Sequence, residues 1–159
     1  MDGEWFQYGR KQGIIHAEYE KLVAPEISKG ANFSYDYKGE FYSTTTVYGY
    51  IKKKEVPESY KCLLGILNSN LFWWYLVNTG TVLSNSYFRF KPDYIKPFPI
   101  PAFIPEDLEQ SLIEYVDKIL ESKKRDTNAD NTDSINKIND IVYSIYLLTE
   151  EEINRIEKE

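Results

Sequence analysis

Apolar and polar residues follow two different periods along the chain, and the change of period divides it. Residues 20–28 (EKLVAPEIS) form a short apolar run of strand type, in which Pro25 marks an edge position or a bulge. Residues 32–37 and 40–50 flank Lys38-Gly39. The second arm contains FYSTTTVYGY, rich in β-branched and aromatic residues, so the pair predicts a hairpin closed by a tight turn. From residue 59 to residue 75 apolar positions crowd around a helical wheel: Leu63, Leu64, Ile66 and Leu67, then Leu71, Phe72, Trp74 and Tyr75. Asn68-Ser69-Asn70 supplies a C-cap followed by an N-cap, which predicts two helices, the second ended by Asn78-Thr79-Gly80. Residues 86–91 (SYFRFK) alternate again and predict a strand, followed by an extended, proline-punctuated passage to Phe103.

Beyond residue 105 only the helical period remains. Residues 106–124 place Leu108, Leu112, Tyr115, Val116, Ile119 and Leu120 on one face behind Pro105. Residues 123–133 are polar and predict a mobile loop. Ile135, Ile138, Ile141, Val142, Ile145 and Tyr146 form a second apolar face, and Thr149-x-x-Glu152 is a capping box opening a short last helix. The expected fold is α+β: a mixed strand–helix module over residues 1–105, then a helical tail over residues 106–159 packed on it through Leu112, Ile119, Ile138 and Ile145.

Charge and aromaticity change at the same boundary. The first 105 residues carry 12 Lys+Arg against 10 Asp+Glu, and the last 54 carry 7 against 15, which accounts for the net charge of −6. Of the 25 aromatic residues, 22 precede residue 106. A polyanion is therefore expected to meet the first portion, because the tail repels it. The length, 159 residues, fits one domain with a helical appendage. A single cysteine, Cys62, and a single histidine, His16, exclude a disulfide framework, a Cys-rich zinc site and a His–His metal pair. No run of 18 uncharged apolar residues occurs, and no apolar leader follows the acidic start, so a soluble, cytoplasmic chain is expected.

An ordered series of motifs runs through the chain. Tyr8-Gly9-Arg10-x-Gln12 comes first, then Lys21-Leu22, Pro25-Glu26-Ile27-Ser28, and Phe33 with Asp36 ahead of Gly39. Leu63-Leu64-Gly65-Ile66-Leu67-Asn68-Ser69 follows, then Ser86-Tyr87-Phe88-Arg89-Phe90-Lys91, and Tyr94-Ile95 leading to Phe98-Pro99-Ile100-Pro101. This series resembles the TaqI-like C-terminal specificity domain of type IIG restriction-modification enzymes and related adenine-specific DNA methyltransferases. The LLGILNS and PFPIP blocks also resemble target-recognition domains of type I specificity subunits. The resemblance implies a bacterial or archaeal protein whose partner is double-stranded DNA. It also implies methyltransferase and nuclease domains in the same polypeptide, which bring S-adenosylmethionine and Mg²⁺. The chain itself has no Asn-Pro dipeptide, hence no N-P-P-Y motif, and no Gly-rich donor loop. No catalytic residue, metal ligand or cofactor is expected in it. Relatives often carry glycine or arginine before Tyr87, where this chain has Ser84-Asn85-Ser86, so a family contact in that turn is not carried over. The alternative reading is a non-catalytic assembly module, docked through its acidic helices on a methyltransferase or belonging to a type I specificity subunit.

Within that frame the candidate residues follow from hydrogen-bonding chemistry. Lys52-Lys53-Lys54 is the densest positive run and suits phosphate contact. Arg10, Arg89 and Lys91 suit the guanine edge, Gln12 suits adenine, and Asn85 is possible on the same grounds. Pro25-Glu26 followed by Asp36-Tyr37-Lys38 mimics a metal-nuclease motif, which needs carboxylates converging on Mg²⁺. Asp36 reads better as support for a turn, and Lys38 as pointing into water.

Overall fold

The computed structural model describes residues 16–42, 46–83 and 86–158. Four strands come first: β1 (Lys21–Pro25), β2 (Ile27–Ser28), β3 (Ser34–Asp36) and β4 (Val47–Tyr50). Helices α1 (Tyr60–Leu67) and α2 (Asn70–Thr79), strand β5 (Phe88–Arg89) and the short helix α3 (Pro92–Ile95) complete the mixed portion. The tail is α4 (Glu106–Arg125), α5 (Thr132–Ile145) and α6 (Glu150–Glu157). The fold is α+β, with two small antiparallel sheets and a C-terminal helical segment.

The expected hairpin does not form. β3 and β4 do not pair with each other; both pair antiparallel with β1, in the order β3-β1-β4. The reason lies in the turn between them. The Asp36 carboxylate accepts hydrogen bonds from the amides of Glu40 (2.9 Å) and Phe41 (3.0 Å) and from the buried Lys21 ammonium. Gly39 adopts φ 68°, and a Cβ there would lie 2.2 Å from the carbonyl oxygen of Glu18. The turn is thus packed onto the segment before β1 and sends the chain past β1 instead of folding the arms together. Pro25, the last residue of the central strand, pairs with β4 alone, because β3 reaches only as far as Val23, so it occupies a locally one-sided edge position. At Glu26 the chain changes sheets: its N–H donates to Thr46 and its carbonyl accepts from Phe90, each at 2.8 Å. β2 then pairs with β5.

The predicted helix pair forms, with the predicted N-cap at Ser69 and a further N-cap at Ser59. Ser59 accepts from the amide of Cys62 (3.1 Å) and Ser69 from that of Phe72 (3.3 Å). The Asn68 side chain binds both backbone polar groups of Phe33, accepting its N–H (2.9 Å) and donating to its carbonyl (3.0 Å). The fully buried Phe72 meets Phe33 and Phe98 edge to face. α4 lies over α1, with Leu112 and Val116 against Gly65. The buried Asn139 of α5 accepts the free amide of Asn70 at 2.9 Å, where α2 begins. Leu112, Ile138 and Ile145 are buried, and Ile119 is half-buried. The capping box at Thr149 and Glu152 is present. The stretch expected to be a mobile loop is shorter and fastened. Helix α4 runs to Arg125, and the Lys123 ammonium donates to the carbonyls of Thr127 (3.0 Å) and Ala129 (2.8 Å).

Candidate nucleic-acid interface

The alternation in residues 86–91 is realised as a two-sided ribbon. Phe88 and Phe90 turn inward and are buried, with Trp73 edge-on to Phe88 at 5.3 Å between ring centroids. The Tyr50 hydroxyl donates to the Phe90 carbonyl at 2.6 Å and holds the ribbon against the larger sheet. Successive strand side chains point to opposite faces, so Tyr87, Arg89 and Lys91 share the outward side. Tyr87 is exposed, and Arg89 and Lys91 are half-buried. Across the ribbon, Ser28 pairs with Phe88 and is buried, whereas Ile27 pairs with Arg89 and is exposed. One Arg89 guanidinium nitrogen lies 3.9 Å from the Glu26 carboxylate, close enough for attraction but beyond a hydrogen bond. The Lys91 carbonyl accepts from the amides of Tyr94 and Ile95 and so starts α3.

The lysine run divides into two roles. The Lys52 ammonium donates to the carbonyls of Val56 (3.2 Å) and Glu58 (2.9 Å) and lies 5.8 Å from the centre of the Tyr60 ring. Two of its three donors thus close the loop that leads into α1. Lys53 and Lys54 are exposed, and Lys53 lies 3.9 Å from the equally exposed Glu55, a contact that solvent screens. Arg10, Gln12 and Asn85 lie outside the described residues.

Residues 2–100 match the TaqI-like C-terminal specificity domain. The chain belongs to this family. No curated protein matches it. The match spans the five strands of the described residues and α1 to α3, and it ends before α4.

Elsewhere in this specificity domain, Lys21 and Asp36 are committed to structure. Lys21 and Asp36 are both buried, and the Lys21 ammonium also donates to the carbonyl of Ala17. Burial alone would raise the Asp36 pKa; the hydrogen bond from Lys21 and those from the Phe41 and Glu40 amides outweigh it and hold the carboxyl below its ordinary value. Asp36 faces Lys21 across the ladder, and Glu26 lies five residues further along, roughly 16 Å away at about 3.3 Å per residue. The two carboxylates of the nuclease-like motif therefore do not converge. Lys38 is exposed and lies 3.7 Å from Glu40. Cys62 is fully buried, and burial pushes its thiol up to about 12, so it is no nucleophile at neutral pH. His16 is exposed beside Tyr19. Among the described residues no three His, Cys, Asp or Glu side chains gather as metal ligands, and no helix is long and apolar enough to cross a membrane.

Sequence reasoning missed two features. The first is the Lys21–Asp36 clamp, whose signal was a lysine opening an apolar strand run. The second is the loop that the clamp holds. Its Tyr37, Phe41 and Tyr42 are exposed, with Tyr42 donating to Glu18 at 2.8 Å.

Proposed function

We propose that this domain selects the DNA target of a type IIG restriction-modification enzyme from a bacterial or archaeal cell. The family match over residues 2–100 carries the reading. The outward face of the β2–β5 ribbon supports it, because a two-stranded ribbon is an element that the major groove admits. In this reading Arg89 and Lys91 reach base edges, together with Arg10, Gln12 and Asn85. Lys53 and Lys54 neutralise phosphates, and Lys52 shapes the loop that presents them. The domain performs no chemistry of its own. Methyl transfer from S-adenosylmethionine and Mg²⁺-dependent cleavage belong to other domains of the same polypeptide.

The test is selection from a randomised duplex library at low salt, followed by a salt titration. The chain should enrich a short motif. Lys53→Ala with Lys54→Ala should weaken binding to every duplex and lower the salt slope by about 2. Absence of any enriched base position would overturn the assignment, even with non-specific binding retained.

A further inference from the structure

Arg89 stands on the outward side of the ribbon, and its guanidinium reaches toward the Glu26 carboxylate at the point where the chain changes sheets. The closest approach is 3.9 Å, and both side chains are about one-third exposed (26% and 34%). Neither makes a side-chain hydrogen bond among the described residues, so the five donors of the guanidinium and both carboxylate oxygens keep their capacity. A partly solvated pair without a hydrogen bond adds little to folding. Both backbones are nevertheless fixed. Glu26 is hydrogen-bonded to both sheets, and Arg89 is in register with Ile27.

Resting on the DNA-reading function proposed above, we infer that Glu26 and Arg89 act as one unit that reads a single guanine–cytosine pair in the major groove. Arginine donates in bidentate fashion to guanine O6 and N7, and a glutamate accepts from the cytosine N4 amino group. O6 and N4 of a paired guanine and cytosine face each other at about 3 Å, the length of one hydrogen bond. A donor and an acceptor held 3.9 Å apart can therefore address both bases of one pair. The carboxylate also makes the choice selective. A lone arginine would bind any phosphate, whereas Glu26 beside it repels phosphate and leaves the base edge as the favourable partner. Ile27, exposed opposite Arg89 on the ribbon, is placed for apolar contact with a neighbouring thymine methyl.

The experiment selects duplexes from one randomised library with the wild-type chain, Glu26→Gln and Arg89→Ala, alongside urea denaturation of each. Arg89→Ala should lower the preference for guanine–cytosine at one position by about 5- to 150-fold. Glu26→Gln should relax the same position, admitting adenine because Gln both donates and accepts, and leave the rest of the motif unchanged. Unfolding midpoints should stay at the wild-type value. A Glu26→Gln motif identical to wild type, or altered at a different position from Arg89→Ala, would overturn the paired reading while leaving DNA recognition intact. So would lower stability with unchanged preference, the signature of a structural ion pair. A wild-type chain that enriches nothing would remove both this inference and the function it rests on.

Discussion

Replacing Gly65 by alanine sets a local gain against a tertiary loss, and the structure says which prevails. In an isolated helix the change is favourable by about 0.8–1 kcal/mol, because alanine loses less backbone entropy than glycine. In this protein the new methyl would stand 2.8 Å from Cδ1 and 3.0 Å from Cγ of Leu112, and 3.1 Å from Cγ2 of Val116. Leu112 is fully buried and Val116 is 3% exposed, so neither can swing into solvent, and the β-branched Val116 has little rotamer freedom. Overpacking of this kind costs about 1–3 kcal/mol. The net expectation is a loss of up to about 2 kcal/mol, or up to about 8 °C in melting temperature for a chain of this size. Thermal and urea unfolding of Gly65→Ala, Leu112→Ala and the double variant provide the measurement. In the Leu112→Ala background the added methyl fills vacated space, so Gly65→Ala should there be neutral or stabilising, with a coupling of at least 1 kcal/mol. A single variant as stable as wild type, with no coupling, would mean that α4 is not seated on α1 as described.

Two further outcomes follow from buried polar groups. Lys21→Met leaves the buried Asp36 carboxylate without its cation and should cost about 3–5 kcal/mol in urea unfolding, more than the double variant Lys21→Met, Asp36→Asn. Because the folded Asp36 carboxyl titrates below its unfolded value of about 4, its contribution is complete above that pH and is lost as the pH falls through the folded value. The stability gap between wild type and Asp36→Asn should accordingly narrow below about pH 4; a constant gap would refute the clamp. Asn68→Ala strips the N–H and carbonyl of Phe33 of their partners and should cost about 1–3 kcal/mol for each group left buried and unpaired, read by the same assay.

The parts of the fold visible in the sequence are those decided within a few residues. Ser69 caps α2, and Thr149 with Glu152 opens α6, because the donor and acceptor of a cap lie three residues apart. Strand pairing is decided at longer range. Nothing local to residues 32–50 announces that Asp36 will be drawn to Lys21, or that Gly39 will rest on Glu18, and these two contacts turn an expected hairpin into two strands flanking a third. The site divides in the same way. Alternation in SYFRFK placed Tyr87, Arg89 and Lys91 on one side, since a period of two needs only the strand itself. The commitment of Lys52 to the carbonyls of Val56 and Glu58 was not visible, because a run of three lysines looks alike whether solvated or used as a strut. Glu26 was legible as part of the Pro25-Glu26-Ile27-Ser28 motif and as half of a nuclease-like motif, but not as a partner of Arg89. Its place beside Arg89 depends on the sheet change at that residue and on the pairing of β2 with β5.

The packing around α2 explains how a face suited to DNA coexists with a tail carrying 7 basic and 15 acidic residues. Neighbouring helical side chains point about 100° apart, so a single turn can serve several surfaces. Trp73 supports the ribbon from behind through Phe88, while Phe72 and Tyr75 turn to Phe98. Phe98 meets the Tyr146 ring at 5.8 Å, and the Tyr146 hydroxyl donates to the carbonyl of Pro99 at 2.7 Å. The amide of Asn70 ends on Asn139, and the Asn70 side chain on Glu157. The tail thus grips α2 and the passage that follows α3, while the ribbon rests on α2 through Trp73 at Phe88 and through Phe72 at Phe90. The family match ends at Ile100, yet Leu112, Val142 and Tyr146 supply surfaces against which residues of the matched portion pack. In the proposed reading, repulsion of phosphate by the acidic tail orients the approach of DNA without touching the bases. On the same reading the sequence-reading ribbon rests on α2, and residues beyond the match hold α2 in turn.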